Sequence, residues 1–568
     1  MKQEEHVPRD TLAPIVDLDY ARYQGYYDST YGINIYRGIR YAAAPKRWQL
    51  PEPPVVNRSS IIEALEDPNY CPQVPDAPEP ANLDFNASIY GDEDCLFLNV
   101  FSPKDGNNLP VLFFIHGGGY GSGNAGGAIS NFTYLDYTVD NGFVLVSIQY
   151  RLGAFGFASS EDIKKHGVLN VGLRDQYFAL QWVQKYISRF GGDPHQVTIA
   201  GESAGGGSVM LQTMANGGKD GTKYFKRAIA DSPYLPTQPK YSDYYPETYY
   251  KKFAELANCS NLAGTRYSST FECLSNANTY TLQNASALTS FSARWGQWAF
   301  IPVTDGVFVQ ETPSQQLLAG RVNGEQMLTG NNANEAWYFV PQNISSKAEF
   351  KAFIQLNYPY LSDSQLRSVL NAYNIPESAD SLPLFDSDGL HAPYATEVSN
   401  LTVGWQQAAN NLYAETTFVC PSYWLADAFA TTGSWKYQYS VPEALHAKDL
   451  FPLLNPDTSD GVGDTDEVFV KAFQTMWGNF IVSGTPYVEL HMPGIDSVSA
   501  ANAESWKPWG TLGRYAGSKP VGFPMLNLNV TNDVPKNADW RVVDGLSWEN
   551  GRGARCALWA LFAAQAQE

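Results

Sequence analysis

The chain has no run of about 18 apolar residues, the length a membrane-crossing helix needs, so no stable membrane insertion is expected. Basic residues are scarce too. Lys and Arg number 38 against 58 Asp and Glu, a formal charge of −20. That balance leaves no basic patch to neutralise phosphates, which argues against nucleic acid and against anionic membrane surfaces. Internal repeats, heptad runs and long linkers are also lacking, so one domain is expected over residues 1–568. Hydrophobic residues make up 44% of the sequence, enough for a large buried core.

The first residues, "MKQEEHVPRD", lack the apolar centre of a signal peptide, which taken literally says cytosol. The cysteines point the other way. Cys71, Cys95, Cys259, Cys273, Cys420 and Cys556 are even in number, and none forms a CxxC pair of the metal or redox kind. Sequons at Asn57, Asn86, Asn131, Asn258, Asn284, Asn343, Asn400 and Asn529 agree with a secretory route, although their excess over chance is mild. The expectation is a secreted glycoprotein whose signal peptide has been removed.

Short apolar runs with strand character recur at 111–115, 143–148, 197–200, 227–230, 326–330 and 436–440. Between two of them, "LRDQYFALQWVQKYISRF" (173–190) puts Leu173, Tyr177, Leu180, Val183, Ile187 and Phe190 on one helical face. Gly191 and Gly192 end that helix, and Asp193-Pro194 reads as a turn. Strands alternating with helices predict an α/β fold with a mainly parallel sheet covered on both faces.

The stretch "IAGESAGGGS" (199–208) surrounds one hydroxyl, Ser203, with residues of almost no size. A strand leads in and a helix start leads out, the context of a nucleophile elbow. There Gly201 and Gly205 must be tiny because strand and helix nearly touch. With 47 glycines in the chain the bare G-x-S-x-G pattern is weak, and its setting carries the inference. A serine needs a base to take its proton and donors to hold the oxyanion. "FFIHGGGYGSG" (113–123) supplies a glycine loop directly after a strand, as the HGGG motif of lipases and esterases does. It nominates the N–H groups of Gly118 and Gly119, with that of Ala204, for the oxyanion. His116 precedes the loop and reads as structural.

These residues bring a resemblance with them. "YRGIRYAAAPKRWQLPEPP" (36–54), "EDCLFLNV" (93–100) and above all "NVGLRDQYFALQWVQKYISRFGGDPHQVTIAGESAGG" (170–206) resemble the type-B carboxylesterase/lipase family, which includes cholinesterases and Candida-type fungal lipases. The likeness runs along nearly the whole chain. Arg40, where a proline is usual, lies away from the chemistry. The resemblance implies an α/β-hydrolase fold and a serine esterase activity.

In this fold the base follows the acid in chain order. Among seven histidines, His6, His116, His166 and His195 come too early, and His391 and His491 follow no evident core strand. His446, on a loop after the strand 436–440, also matches the family's H-x-x-D/E pattern. Fifty-eight carboxylates leave the acid open on chemistry alone. The resemblance favours Glu335, after the strand 326–330. Its role would be to accept the histidine Nδ1–H and fix the tautomer. Asp305, which reads as a turn before a strand, is the alternative. Ser232 matches a family serine that bonds the acid. Glu202 either tunes the field of the site or bonds structural groups. The resemblance also implies the disulfides Cys71–Cys95, Cys259–Cys273 and Cys420–Cys556, where the count alone allows 15 connectivities.

The resulting reading is a secreted hydrolase of soluble short- to medium-chain or aromatic esters. It acts through an acyl-enzyme with Ser203, His446 and Glu335, takes a small-molecule ester as its partner, and calls for no cofactor and no metal. Two rivals stand beside it: a lipase or sterol esterase working at interfaces, and a non-catalytic binding protein like the neuroligins, which lose the nucleophile. The loop "PQVPDAPEPANLDFNASIYGDED" (72–94) bears on the first rival. The prolines of its opening, "CPQVPDAPEP" (71–80), forbid a helix interior there, and in the remainder Leu83, Phe85, Ile89 and Tyr90 offer little apolar surface for a lipase lid. It also holds no tryptophan to face a choline cation, as cholinesterases do. Aromatics in 294–300 and 335–339 are candidates for the pocket lining.

Overall fold

The computed structural model describes residues 13–76, 90–127, 132–140, 142–374, 399, 401–454, 465, 467–488, 506–510, 523–531 and 538–568. A small sheet of Ile15–Asp17, Ala21–Gln24 and Asn57–Glu63 sits apart from the main one. The main sheet has eleven described strands. In chain order they are β1 (Tyr26–Asp28), β2 (Ile33–Arg40), β3 (Phe97–Pro103), β4 (Leu109–Ile115), β5 (Val144–Ile148) and β6 (Gly192–Glu202). β7 (Arg227–Asp231), β8 (Gln326–Gly330), β9 (Ser434–Tyr439), β10 (Pro524–Val530) and β11 (Ala538–Asp544) follow. Their spatial order is β11-β10-β9-β8-β7-β6-β4-β5-β3-β2-β1.

Strands β5, β4, β6, β7, β8, β9 and β10 run parallel, and antiparallel strands flank them on both sides. A parallel sheet is buried on both faces, so its strands read as continuous apolar runs. β5 and β7 are buried at every residue. Along β4 the pleat sends Val111, Phe113 and Ile115 into one core and Leu112 and Phe114 into the other. This is the α/β-hydrolase architecture the sequence implied.

Helix α1 (Val171–Tyr186) continues as a 3₁₀ turn, Ile187–Phe190, and Gly191 at φ 81° closes it. The reversal is finished there. β6 already starts at Gly192, but its pairing with β4 is interrupted between Gly192 and Val197, and there Asp193-Pro194 makes the expected turn, with Asp193 Oδ1 accepting the His195 N–H at 2.8 Å. Helix α2 (Ala204–Met214) is buried at every position. Helix α3 (Cys420–Ala428) is joined to helix α4 (Trp548–Leu561) by Cys420–Cys556. Cys71–Cys95 and Cys259–Cys273 are also bonded, so all three implied pairs form. No described helix is long and apolar enough to cross a membrane.

The topology places the site. After β4 the chain adds β5 on one side and later β6 on the other, so loops leaving β4 and β6 part around a crevice. Such switch points at the carboxyl ends of parallel strands are where ligands bind in open α/β sheets. Ile115, the last residue of β4, pairs with Gly201 of β6, which sets the glycine loop beside Ser203.

Candidate active site

Ser203 follows β6 directly and precedes α2 directly, and it takes φ 59°, ψ −125°. A non-glycine residue holds that conformation only where its surroundings enforce it. The enforcement is steric. A Cβ on Gly205 would stand 2.1 Å from the Ile115 carbonyl oxygen, and one on Gly201 would stand 2.4 Å from the Gly205 carbonyl carbon. Strand and helix therefore approach as closely as backbone permits, and the serine hydroxyl is lifted to the top of the sheet.

The hydroxyl meets a histidine. Ser203 Oγ lies 2.9 Å from His446 Nε2, and His446 Nδ1 lies 2.6 Å from Glu335 Oε2. Glu335, fully buried in the turn after β8, accepts hydrogen bonds on its other oxygen from Ser232 Oγ (2.7 Å) and from the Asn332 N–H (2.5 Å). Ser232 thus bonds the acid. His446 comes from the loop after β9, and three strand ends converge on one line of proton partners.

The glycine loop faces them. Gly117 lies so close that a Cβ there would come within 3.1 Å of Ser203 Cβ. Gly118 at φ 104° and Gly119 at φ 62° turn the loop, and a Cβ on Gly119 would enter the Trp298 ring. Among the described residues the N–H groups of Gly118, Gly119 and Ala204 find no protein acceptor. They are free to hold an oxygen, at the N-terminus of α2 where the helix dipole favours negative charge.

Electrostatics tie Glu202 to the histidine. Its Oε1 lies 3.3 Å from His446 Nε2 and has no hydrogen-bond partner of its own. Burial pushes the Glu202 carboxyl up to about 8, against the attraction of His446. Burial alone would lower His446, but the carboxylates of Glu202 and Glu335 outweigh it and raise the imidazole to about 9. Between the two uses the sequence left open for Glu202, its lack of bonded partners favours the field.

An aromatic wall closes the histidine side. The Phe418 ring centre stands 4.4 Å from that of His446, and Phe339 meets the imidazole edge-on at 5.3 Å. Tyr234 lies tilted beyond Phe418 at 5.5 Å, and Trp298 lies 6.0 Å from Tyr234. Phe418 sits in a π-helical turn, Glu415–Val419, a local irregularity that often marks functional sites. The two aromatic segments named from sequence thus supply Trp298 and Phe339, while Tyr338 is half exposed. Phe418 and Asn332 escaped sequence reasoning because no motif surrounds them.

The other candidates fall elsewhere. His116 is buried and stacks on Tyr150 at 4.4 Å, and burial pushes its ring down to about 4. His166 neighbours Asp162, and His195 is exposed. Asp305 Oδ1 accepts the N–H groups of Val307, Phe308 and Val309, which makes it a turn former. The chain then enters a short helix, Pro313–Leu318, rather than the expected strand. His6, His391, His491, Asn86, Asn131 and Asn400 lie outside the described residues, as does 77–89 of the loop tested above for a lid.

Comparison with known proteins bears on the family. The carboxylesterase family profile matches residues 12–515. Carboxylesterase patB of Penicillium expansum is 29% identical over 542 residues, covering 84% of this chain and 90% of that protein. The acetylcholinesterase of Danio rerio is 33% identical over 496 residues, covering 79% and 76%. Among solved structures, Aspergillus niger EstA superposes with a TM-score of 0.76 at 26% identity, covering 98% of this chain and 99% of that one. An elbow serine, a strand-end histidine and a match of this extent have one reading: the chain is an ester hydrolase and belongs to the carboxylesterase family.

Proposed function

We propose that this single-domain chain hydrolyses soluble short- to medium-chain or aromatic carboxylic esters through an acyl-enzyme on Ser203. The observation that carries the proposal is the unbroken series Ser203 Oγ, His446 Nε2 and Nδ1, Glu335 Oε2, at 2.9 and 2.6 Å. Ser203 Oγ attacks the ester carbonyl carbon as its proton passes to His446 Nε2. Glu335 accepts the Nδ1–H and stabilises the imidazolium. The carbonyl oxygen, now an oxyanion, takes hydrogen bonds from Gly118, Gly119 and Ala204. Collapse breaks the bond to the alcohol, which leaves with the proton held on His446. A water then repeats the sequence on the acyl-enzyme and frees the acid.

Two features support short acyl groups. The Phe418–Phe339 wall crowds the histidine side of the nucleophile. The proline-rich loop 72–94 offers little apolar surface for adsorption at an interface. The same loop lacks a tryptophan, so acetylcholine has no advantage over its uncharged isostere. Three disulfides and exposed sequons such as Asn57 and Asn343 support secretion as a glycoprotein.

The test is a panel of esters graded in acyl length, with one short triglyceride followed across its solubility limit. Smooth saturation and poor cleavage of long-chain triglycerides and steryl esters are expected. A sharp rate increase beyond saturation, or efficient long-chain cleavage, would make the enzyme an interfacial lipase.

A further inference from the structure

We propose that Asp231 and Asp449 form a buried acid pair that shares one proton, and that this proton fastens together the three segments bearing the triad. Asp231 ends β7, in register with Glu202 of β6 and Gly330 of β8. Its backbone carbonyl accepts the Ser203 N–H at 3.1 Å. Asp449 lies three residues beyond His446, and its Oδ1 accepts from Asn332 Nδ2 at 2.9 Å. The Asn332 N–H in turn holds Glu335. One aspartate therefore belongs to the nucleophile's neighbouring strand. The other joins the histidine loop to the acid turn.

Both side chains are fully buried, yet no hydrogen bond of ordinary geometry reaches Asp231 Oδ1, Asp231 Oδ2 or Asp449 Oδ2. The two carboxyls lie within hydrogen-bonding reach of each other, so both ionised they would repel, with Glu202 adding to the repulsion at Asp231 and Glu335 at Asp449. Attraction from His446 relieves Asp449 only in part, and no cationic group bonds either carboxyl among the described residues. Lys436 Nζ is committed to Asn331 (2.6 Å) and Ser422 (2.7 Å), and His446 to Ser203 and Glu335. One proton resolves the arrangement. A protonated Asp231 donates to Asp449 Oδ2, and its second oxygen accepts from the buried Tyr437 hydroxyl, which the Trp477 indole N–H also approaches. Burial and the neighbouring Asp449 push Asp231 well above the ordinary carboxyl range, whereas burial raises Asp449 only to about 6 because the bonds from Asp231 and Asn332 hold it down, the asymmetry that one shared proton requires.

The consequence for catalysis rests on the triad reading above, whereas the proton itself can be tested without activity. Asp231→Asn mimics the protonated acid, since its amide donates to Asp449 and its oxygen accepts from Tyr437. Asp231→Ala removes both bonds. A proton held when folded and released on unfolding stabilises fully below the ordinary pKa of about 4, and that contribution is lost as pH rises toward the folded pKa. The asparagine needs no such proton, so its Tm should gain on wild type steadily from pH 5 to pH 8. Its infrared difference spectrum should lose one carboxylic-acid C=O band at neutral pH. In kcat/KM, Asp231→Ala should fall on the order of 10- to 100-fold, and Asp231→Asn should recover most of that loss. A Tm difference that does not change with pH, or a spectrum with no acid band to lose, would overturn the shared proton. Equal loss of kcat/KM in both variants would overturn its positioning role. Should the alanine variant fail to fold, the asparagine spectrum and pH slope still decide.

Discussion

Glu202 Oε1 lies 3.3 Å from His446 Nε2, the nitrogen that also stands 2.9 Å from Ser203 Oγ. In the proposed mechanism the base therefore stands between its nucleophile and an unbonded carboxylate. When the imidazolium forms, Glu202 faces its charge at close range in a buried site. The same field that favours the imidazolium makes the resting base harder to deprotonate.

That field fixes a pH dependence. His446 acts as a base only when neutral, and its raised pKa of about 9 puts the acid limb of kcat/KM above the ordinary imidazole range. Glu202→Gln removes one negative charge beside the ring, so His446 loses its proton more readily and the limb moves to lower pH. A shift of about one unit is expected from a contact of this kind. A limb that does not move would show that Glu202 exerts no field on the base.

Phe418 is expected to set the acyl length. Its ring is fully buried at 4.4 Å from the His446 ring centre and packs against Phe339 and Tyr234. Phe418→Leu opens space beside the nucleophile at a stability cost of about 1–2 kcal/mol. Each added methylene in an apolar pocket is worth roughly 1–3 kcal/mol, so the preferred acyl chain should lengthen by one or two carbons. An unchanged chain-length profile in a folded variant would place the acyl group elsewhere.

The disulfides give a chemical and a thermodynamic readout. Protein isolated without reductant should show no free thiol, and peptide mapping should return the three pairs. Cys420 and Cys556 are 136 residues apart, so removing both sulfurs should cost about 4–5 kcal/mol on the chain-entropy account. Six free thiols in protein isolated without reductant would contradict a secreted enzyme.

Much of the machinery was legible because chemistry constrains it locally. Gly201 and Gly205 could be read as obligatory because an elbow leaves no room for a Cβ, and a Cβ added to either would stand within 2.4 Å of backbone. His446 followed from chain order and a preceding strand. Glu335 could not be separated from other carboxylates by any local rule, and the family resemblance singled it out. The turn at Asp193-Pro194 was legible from its residue types, but its place inside a strand was not, because Gly191 already reverses the chain. Phe418, Asn332 and the side chain of Asp231 stayed hidden for a different reason. Their significance lies in what three distant segments place against them, which no spacing in the sequence records.

The most direct test is covalent capture at Ser203. Incubation of the purified protein with an organophosphate ester should label one site per chain, on the peptide containing Ser203. Ser203→Ala should not be labelled, and its kcat should fall by at least about 10⁴-fold, because oxyanion and binding contributions alone leave little turnover. Labelling on another residue, or near-normal turnover by the alanine variant, would contradict the account.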